Sequence, residues 1–269
     1  MGDTTPLSLI HISQNLNQGK RVLFISSYSY GWDTVQTQIE GIKAGVDENT
    51  TVDYEFMDTK RFRTKESAAM FDEMLKYHLD HSDPYDVVIV GDDAALRYAM
   101  AFREELFDGI PIVFEGVNDE EYALEAAKNP LVTGILEKLS VEKNIDMALK
   151  VNPSADKVVA ILDDSVTGEA ERKNFYSAES EYPGLEFSEI NSSELTTAQL
   201  QQAVSKVDKN TILIYIVMSN DGSGKQYTSL QAIRMLVTYS KVPVYRMVEA
   251  GIGDGLLGGN VVSMYKRCV

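Results

Sequence analysis

The spacing of apolar and polar positions switches repeatedly along the chain. Val22-Leu23-Phe24-Ile25 is a short apolar run, β-branched and aromatic in part, and reads as a buried strand. It gives way to the polar, aromatic stretch Ser26-Ser27-Tyr28-Ser29-Tyr30-Gly31-Trp32. A helix is predicted over 33–46, with Val35, Ile39, Ile42 and Val46 on one stripe. The alternation then recurs. Residues 51–57 read as a strand and 65–81 as a helix with Met70, Met74, Leu75 and Leu79 inward, stopped by Asp83-Pro84. Strands follow at 87–90, 111–114 and 132–136, separated by helices over 94–107 and 120–128.

The pattern restarts at Ser140, read as the cap of a helix running to 150 and ended by Asn152-Pro153. Strands are predicted at 158–162, 185–190, 212–218 and 242–248. Between them lie helices at 169–181, 197–207 and 226–239, the second introduced by Ser193 and Thr196. A glycine-rich turn over 251–259 leads to a last strand at 260–264. Two successive β/α blocks of similar length imply an α/β fold of two Rossmann-like lobes, each a parallel sheet covered by helices. The expected division is a leader over 1–19, lobe 1 over 20–138 and lobe 2 over 139–269. One long doubly wound sheet is the alternative, but it would be near the upper end of usual sheet size.

The 269 residues carry a formal net charge of −16, 44% hydrophobic and 25% charged. This is a globular composition with no basic stripe, so a nucleic-acid partner is excluded and an anionic membrane surface is disfavoured. The single cysteine, Cys268, allows no disulfide within the chain, which fits the cytosol and also many extracytoplasmic proteins. Residues 1–19 lack the basic and long apolar regions of a secretion signal, so the sequence implies either a cytosolic protein or one whose signal or anchor lies outside it.

Several motifs lead nowhere. Gly253-Asp254-Gly255-Leu256-Leu257-Gly258 matches a dinucleotide fingerprint, but a strand-like run follows it where a helix is needed. Ser219–Gln226 misses both the first glycine and the final Ser or Thr of a phosphate loop. His78 and His81 sit at a polar helix end with no further ligand nearby. No cofactor and no metal site is expected.

The residues at the carboxyl ends of the predicted strands make a more coherent set, because open α/β sheets build ligand sites there. They are Ser26, Ser27, Tyr28, Trp32, Asp92, Asp93, Glu115 and Asn118 in the first block, and Asp163, Asp164, Thr167, Ser219, Asn220, Asp221 and Glu249 in the second. Of these, Asp164 and Ser219 complete the pattern and the rest are the candidate ligand-binding residues. The set holds no lysine or arginine, which implies a ligand that is neutral, cationic or zwitterionic. A ligand carboxylate would then rest on helix N-termini.

The runs Val22–Tyr28 with Trp32, Asp86–Ala95 and Ile110–Asn118, together with Thr133-Gly134-Ile135 and Gly258–Ser263, resemble the ABC transporter substrate-binding protein family. The likeness is greatest to its versions that serve as extracellular sensor domains of bacterial histidine kinases and diguanylate cyclases. The resemblance implies a type 1 periplasmic-binding-protein fold: two Rossmann-like lobes, a hinge and closure around a small molecule. It implies an amino acid or other zwitterionic or amine metabolite as ligand, an extracytoplasmic location, no catalysis, and as partner an ABC permease or a membrane-bound kinase or cyclase in the same chain. Relatives continue into further C-terminal helices beyond the point where this sequence stops. The competing expectation is an intracellular magnesium-dependent α/β enzyme using an acid pair at Asp92 or Asp163.

Overall fold

The computed structural model describes residues 19–262; the expectations for the leader and for Ser263 and Met264 lie outside the described residues. Strand β1 (Arg21–Ser26) is buried from Val22 onward and lies in a parallel sheet between β2 (Thr51–Phe56) and β3 (Val87–Gly91). With β4 (Ile112–Val117) and β5 (Val132–Leu136) the order is β2-β1-β3-β4-β5. A second parallel sheet, from β6 (Lys157–Leu162), β7 (Glu186–Asn191), β8 (Thr211–Tyr215), β9 (Val244–Val248) and β10 (Leu257–Val262), runs β10-β9-β8-β6-β7. Both sheets are wound alike, and the single doubly wound sheet is not formed. Continuous Val/Ile/Leu runs in β3, β6 and β8 follow from burial on both faces.

Helices cover both faces of each sheet. In lobe 1, α1 (Asp33–Gly45) packs Val35, Ile39 and Ile42 onto Val22, Phe24 and Ile89. On the other face, α2 (Lys65–Asp80) and α3 (Asp92–Ala101) pack Phe71, Leu75 and Leu96 onto Leu23, Ile25, Val88 and Val90. The inward stripe of α2 is therefore Phe71, Leu75 and Leu79, spaced by four. Met70 and Met74, expected inside, are exposed. A one-turn helix, α4 (Arg103–Leu106), follows a break at Phe102, and α5 (Glu120–Ala126) precedes β5. In lobe 2, α6 (Val141–Val151) and α7 (Val166–Ser177) cover one face, while α8 (Thr197–Lys206) and α9 (Ser229–Tyr239) cover the other.

Helix starts deviate from expectation where capping decides them. Ser165 Oγ accepts from Gly168 N–H, so α7 begins at Val166 rather than 169. Thr228 and Gln231 form a reciprocal capping box, which starts α9 at Ser229 rather than 226. Thr196 and Gln199 do the same for α8, as the sequence suggested for Thr196. Ser140 makes no side-chain cap. Its carbonyl accepts from Asn144 Nδ2, which also donates to Asn260 O and ties α6 to β10. Glycines 253 and 255 have φ of 96° and 105° in the turn before β10, so the fingerprint-like run is a loop.

Carboxylates hold the two lobes in shape from within. Asp163, fully buried after β6, accepts at one oxygen from Ser165 N–H (3.0 Å) and Oγ–H, and at the other from Ser219 N–H (2.9 Å) and Oγ–H. It thereby joins the loops after β6 and β8. Burial alone would raise its pKa. The Lys60 charge and the serine bonds outweigh that and hold it at about 2. Asp221 organises the next turn in the same way, accepting from Ser223, Lys225 and Thr197, also with a pKa near 2 despite its burial. At the seam between lobes, Asn118 Nδ2 donates to Glu171 Oε1 on α7 (2.9 Å), and Asn174 Nδ2 donates to the other oxygen (3.0 Å). Burial pushes Glu171 up to about 8 and Glu115, in β4, up to about 7. Burial also raises Asp92 and Asp93.

Two expectations follow. Asp163→Ala removes a charged acceptor shared by two loops, so it should cost on the order of 3 kcal/mol and lower Tm by roughly 6–12 °C in thermal melts. An unchanged Tm would contradict the lock. Raised carboxyls contribute fully below about pH 4.5 and lose that contribution as pH climbs toward 8; depressed ones contribute above about pH 3.8 and lose it as pH falls toward 2. Melting across pH 3–9 should therefore show a maximum near pH 4–5, and Glu171→Gln should flatten the alkaline limb. A Tm that rises steadily from pH 5 to 8 would contradict this.

Candidate functional site

The carboxyl ends of both sheets meet across a cleft, and the residue at its centre comes from the loop after β2. That loop is stitched onto the end of β1: Met57 N–H donates to Ser26 O, and both Thr59 N–H and Thr59 Oγ–H donate to Ser27 O. Asp58, at a left-handed φ of 55°, reverses the chain between them. The result places Lys60 beneath the turn that carries Tyr28 and Trp32. The residue is 5% exposed, with Nζ 4.7 Å from the Tyr28 ring centre, 5.5 Å from that of Trp32, and 3.3 Å from Ser165 Oγ of the other lobe. Burial lowers the Lys60 pKa, and the Asp163 charge opposes that. Tyr28, itself buried, meets Thr167 Oγ1 across the cleft at 2.6 Å; burial, then Asp92 and Asp93, push its phenol up. Arg63 reaches over to Ser219 and lies 3.6 Å from Asp163, while Gln226 Nε2 donates to Arg61 O.

Two chambers flank Lys60. The inner one, about 320 Å3, lies between Tyr28, Thr59, Phe62, Arg63 and Phe71 of lobe 1 and Ser165, Val166 and Thr167 of lobe 2. The outer one, about 710 Å3, lies between Trp32, Phe56 and Asp58 of lobe 1 and Ser219, Tyr227 and Ser229 of lobe 2. Lys60 lines both.

Of the candidate residues read from the sequence, Tyr28, Trp32 and Thr167 line these chambers. Ser26 and Ser27 are straps: Ser26 Oγ accepts from Tyr28 N–H, and Ser27 Oγ donates to Gly91 O and accepts from Ala95 N–H. Asp92 accepts from Gln38 inside lobe 1, and Asp93 accepts from the amides of Asn118 and Asp119. Glu115 is buried with both oxygens unpartnered, and Asn118 belongs to the seam. Asp163 is taken up by Ser165, Ser219 and Arg63, and Asp221 by Ser223, Lys225 and Thr197. Asn220 pairs with Gln226 in a β-bridge, and Glu249 is exposed in the turn before β10. Neither chamber is lined by any of these candidate residues.

The expectation that the strand ends hold no lysine or arginine is overturned: Lys60, Arg61 and Arg63 all line the cleft. The signal was available, since β2 has a carboxyl end like every other strand, and sheet order sets that end beside β1. Among the described residues no group of three or more His, Cys, Asp or Glu is arranged to hold a metal ion, and no helix is long and apolar enough to cross a membrane. His78 pairs with Glu55 at 2.6 Å.

No family model and no curated protein matches the chain. Solved structures do. An ABC domain from Streptococcus pneumonia in complex with L-Trp superposes with a TM-score of 0.67 at 15% identity, over 93% of this chain and 81% of the other. The ligand-free, open structure of a substrate-binding protein with adhesive properties from Clostridium difficile gives 0.55 at 16%, over 93% and 81%. A solute-binding protein of an ABC transporter from Rhodopseudomonas palustris, in complex with 3,4-dihydroxy benzoic acid, gives 0.51 at 16%, over 85% and 62%. What these share with the chain is architecture: it has the two-lobe α/β fold of the periplasmic, ABC-type solute-binding proteins.

Proposed function

We propose that the chain is an extracytoplasmic small-molecule-binding domain, either the solute-binding protein of an ABC transporter or the sensor domain of a membrane-bound kinase or cyclase, and that it is not an enzyme. The observation that carries this is the inner chamber, whose polar tips come from both lobes, Tyr28 and Lys60 from one and Ser165 and Thr167 from the other. A molecule lodged there touches both lobes, so its binding favours the closed arrangement over an open one. Closure is the event a permease or kinase would read.

The ligand class follows from the walls. Met57, Phe62 and Phe71 are apolar and suit a flat or aliphatic body, and Lys60 and Arg63 supply positive charge. A carboxylate-bearing ligand is thus favoured over a purely cationic one, and an amino acid or other zwitterionic metabolite satisfies both this chamber and the acid-rich surroundings. The L-Trp and dihydroxybenzoate carried by two structural neighbours are of this carboxylate type. The alternative, a magnesium-dependent enzyme at Asp92 or Asp163, draws little support. Asp163 has both oxygens bound by serines, and burial favours the neutral form of Asp92.

Thermal melts against amino acids, amines and aromatic carboxylates test the proposal. A ligand at about 100 Kd should add roughly 2.7 kcal/mol of stability. Lys60→Met should weaken a carboxylate ligand by about 10–100-fold, and Tyr28→Phe by about 3–10-fold. If no member of a broad metabolite panel stabilises the protein, the proposal fails. If amines alone do so and Lys60→Met leaves them unaffected, the ligand class fails.

A further inference from the structure

We propose that closure of the two lobes is coupled to proton uptake at Glu171, so that the cleft closes in mild acid and opens as the medium turns alkaline. The inference rests on the proposed function and assigns its regulation. Glu171 projects from α7 of lobe 2 into the seam and is 2% exposed. Its two oxygens accept from neutral amides, Asn118 Nδ2 of lobe 1 at 2.9 Å and Asn174 Nδ2 of its own helix at 3.0 Å. The same Asn118 nitrogen lies 3.4 Å from Glu137 Oε2, in the segment after β5. One amide is therefore wedged between carboxyl groups brought from opposite lobes. Asp93, at the start of α3, adds a third acid on the lobe 1 side, where it accepts from the N–H groups of Asn118 and Asp119.

Among the described residues, the cations of this seam are turned elsewhere. Arg97 pairs with Asp119, Lys138 with Glu120 at 3.2 Å, and Arg172 with Asp164 and Glu189. Lys173 and Glu121 line a cavity of about 260 Å3 along the seam, and neither bonds Glu171. Two amides without a cation compensate a buried carboxylate poorly when acids stand on the facing wall, so the shut seam favours the neutral carboxyl. Burial raises Glu171, the two amides oppose that, and Glu137 and Asp93 add to it, which leaves the group at about 8. Asn118 can serve either state. Its Nδ2 donates to a carboxylate, and its Oδ1, buried without a partner, can turn to accept from a carboxyl O–H. Opening parts Glu171 from Asn118 and Glu137 and admits water, which returns the carboxyl toward its ordinary value of 4.5. The closed form therefore holds the extra proton. Its advantage is complete below about pH 4.5 and is lost as pH rises toward 8.

Small-angle X-ray scattering of the ligand-free protein at a series of pH values from mildly acid to mildly alkaline reads lobe separation directly, with far-UV circular dichroism to confirm that the chain stays folded. The expected result is a radius of gyration that rises with pH in the wild-type protein. Acrylamide quenching of Trp32, the single tryptophan of the chain and a lining residue of the outer chamber, should rise with it. One proton shifts the open-to-closed ratio by up to about tenfold per pH unit between about 4.5 and 8. Glu171→Gln and Glu171→Met cannot ionise, and each should flatten both curves. A wild-type radius that does not change with pH, or a rise that the folded variants retain, overturns the coupling. No ligand enters these measurements, so the two readings fail separately. A flat wild-type curve alongside ligand-stabilised melting refutes the coupling alone, and a pH-dependent radius alongside a metabolite panel without a hit refutes the proposed function alone.

Discussion

A lysine ammonium taken almost wholly out of water needs compensation from every direction, and for Lys60 that compensation comes from both lobes. Lobe 1 supplies the faces of Tyr28 and Trp32. Lobe 2 supplies the Ser165 hydroxyl and the Asp163 charge. Asp163 can play this part because four serine donors keep it ionised where burial would otherwise neutralise it. The serine loops of lobe 2, the β2 loop of lobe 1 and the aromatic turn after β1 are thus all arranged around one charge. Remove the fold's parallel topology and these loops would not share an edge.

The strong acidity of the chain has a structural counterpart. Carboxylates near the cleft fall into two groups with opposite electrostatics. Asp163 and Asp221 are saturated with donors and held ionised, so they act as rigid struts. Asp92, Asp93, Glu115 and Glu171 are as buried but have fewer donors, and burial shifts them toward the neutral form. The same residue type thereby builds fixed loop geometry in lobe 2 and a proton-sensitive seam where Asn118 meets Glu171.

The alternation of strand and helix was legible because a parallel sheet imposes it: every crossover needs a helix, and every central strand is buried on both faces. The two-lobe winding followed from the restart at Ser140. Helix starts were less legible, since Ser165 and Thr228 cap while Ser140 does not, and that depends on backbone dihedrals no local pattern encodes. The residues lining the candidate site were legible in part. Tyr28, Trp32 and Thr167 were readable as strand-end residues with the chemistry to hold a ligand. Asp163, Asp221 and Ser27 carried the same signature, yet their polar atoms are consumed by neighbouring amides and hydroxyls. A carboxylate that caps its own turn and one that faces a cleft look identical in sequence. Lys60 was not legible from strand–helix alternation, because only the sheet order brings the carboxyl end of the edge strand β2 beside that of β1.

The side-chain bonds that join the lobes are polar. Tyr28 to Thr167, Lys60 to Ser165, Asn118 to Glu171, and Gln226 to the Arg61 carbonyl are hydrogen bonds, and Arg63 adds a bond to Ser219 and an ion pair with Asp163 at 3.6 Å. Each such hydrogen bond is worth only about 1 kcal/mol net, whereas a seam of buried leucines would resist separation by far more. The clusters of buried apolar side chains instead lie within one lobe or the other. Under the proposed function, a polar seam between the lobes would keep opening and closure within the few kcal/mol that the differential affinity of one small molecule can decide. Polar contact between the lobes would, on that reading, let a ligand, rather than the chain itself, set the position of the cleft.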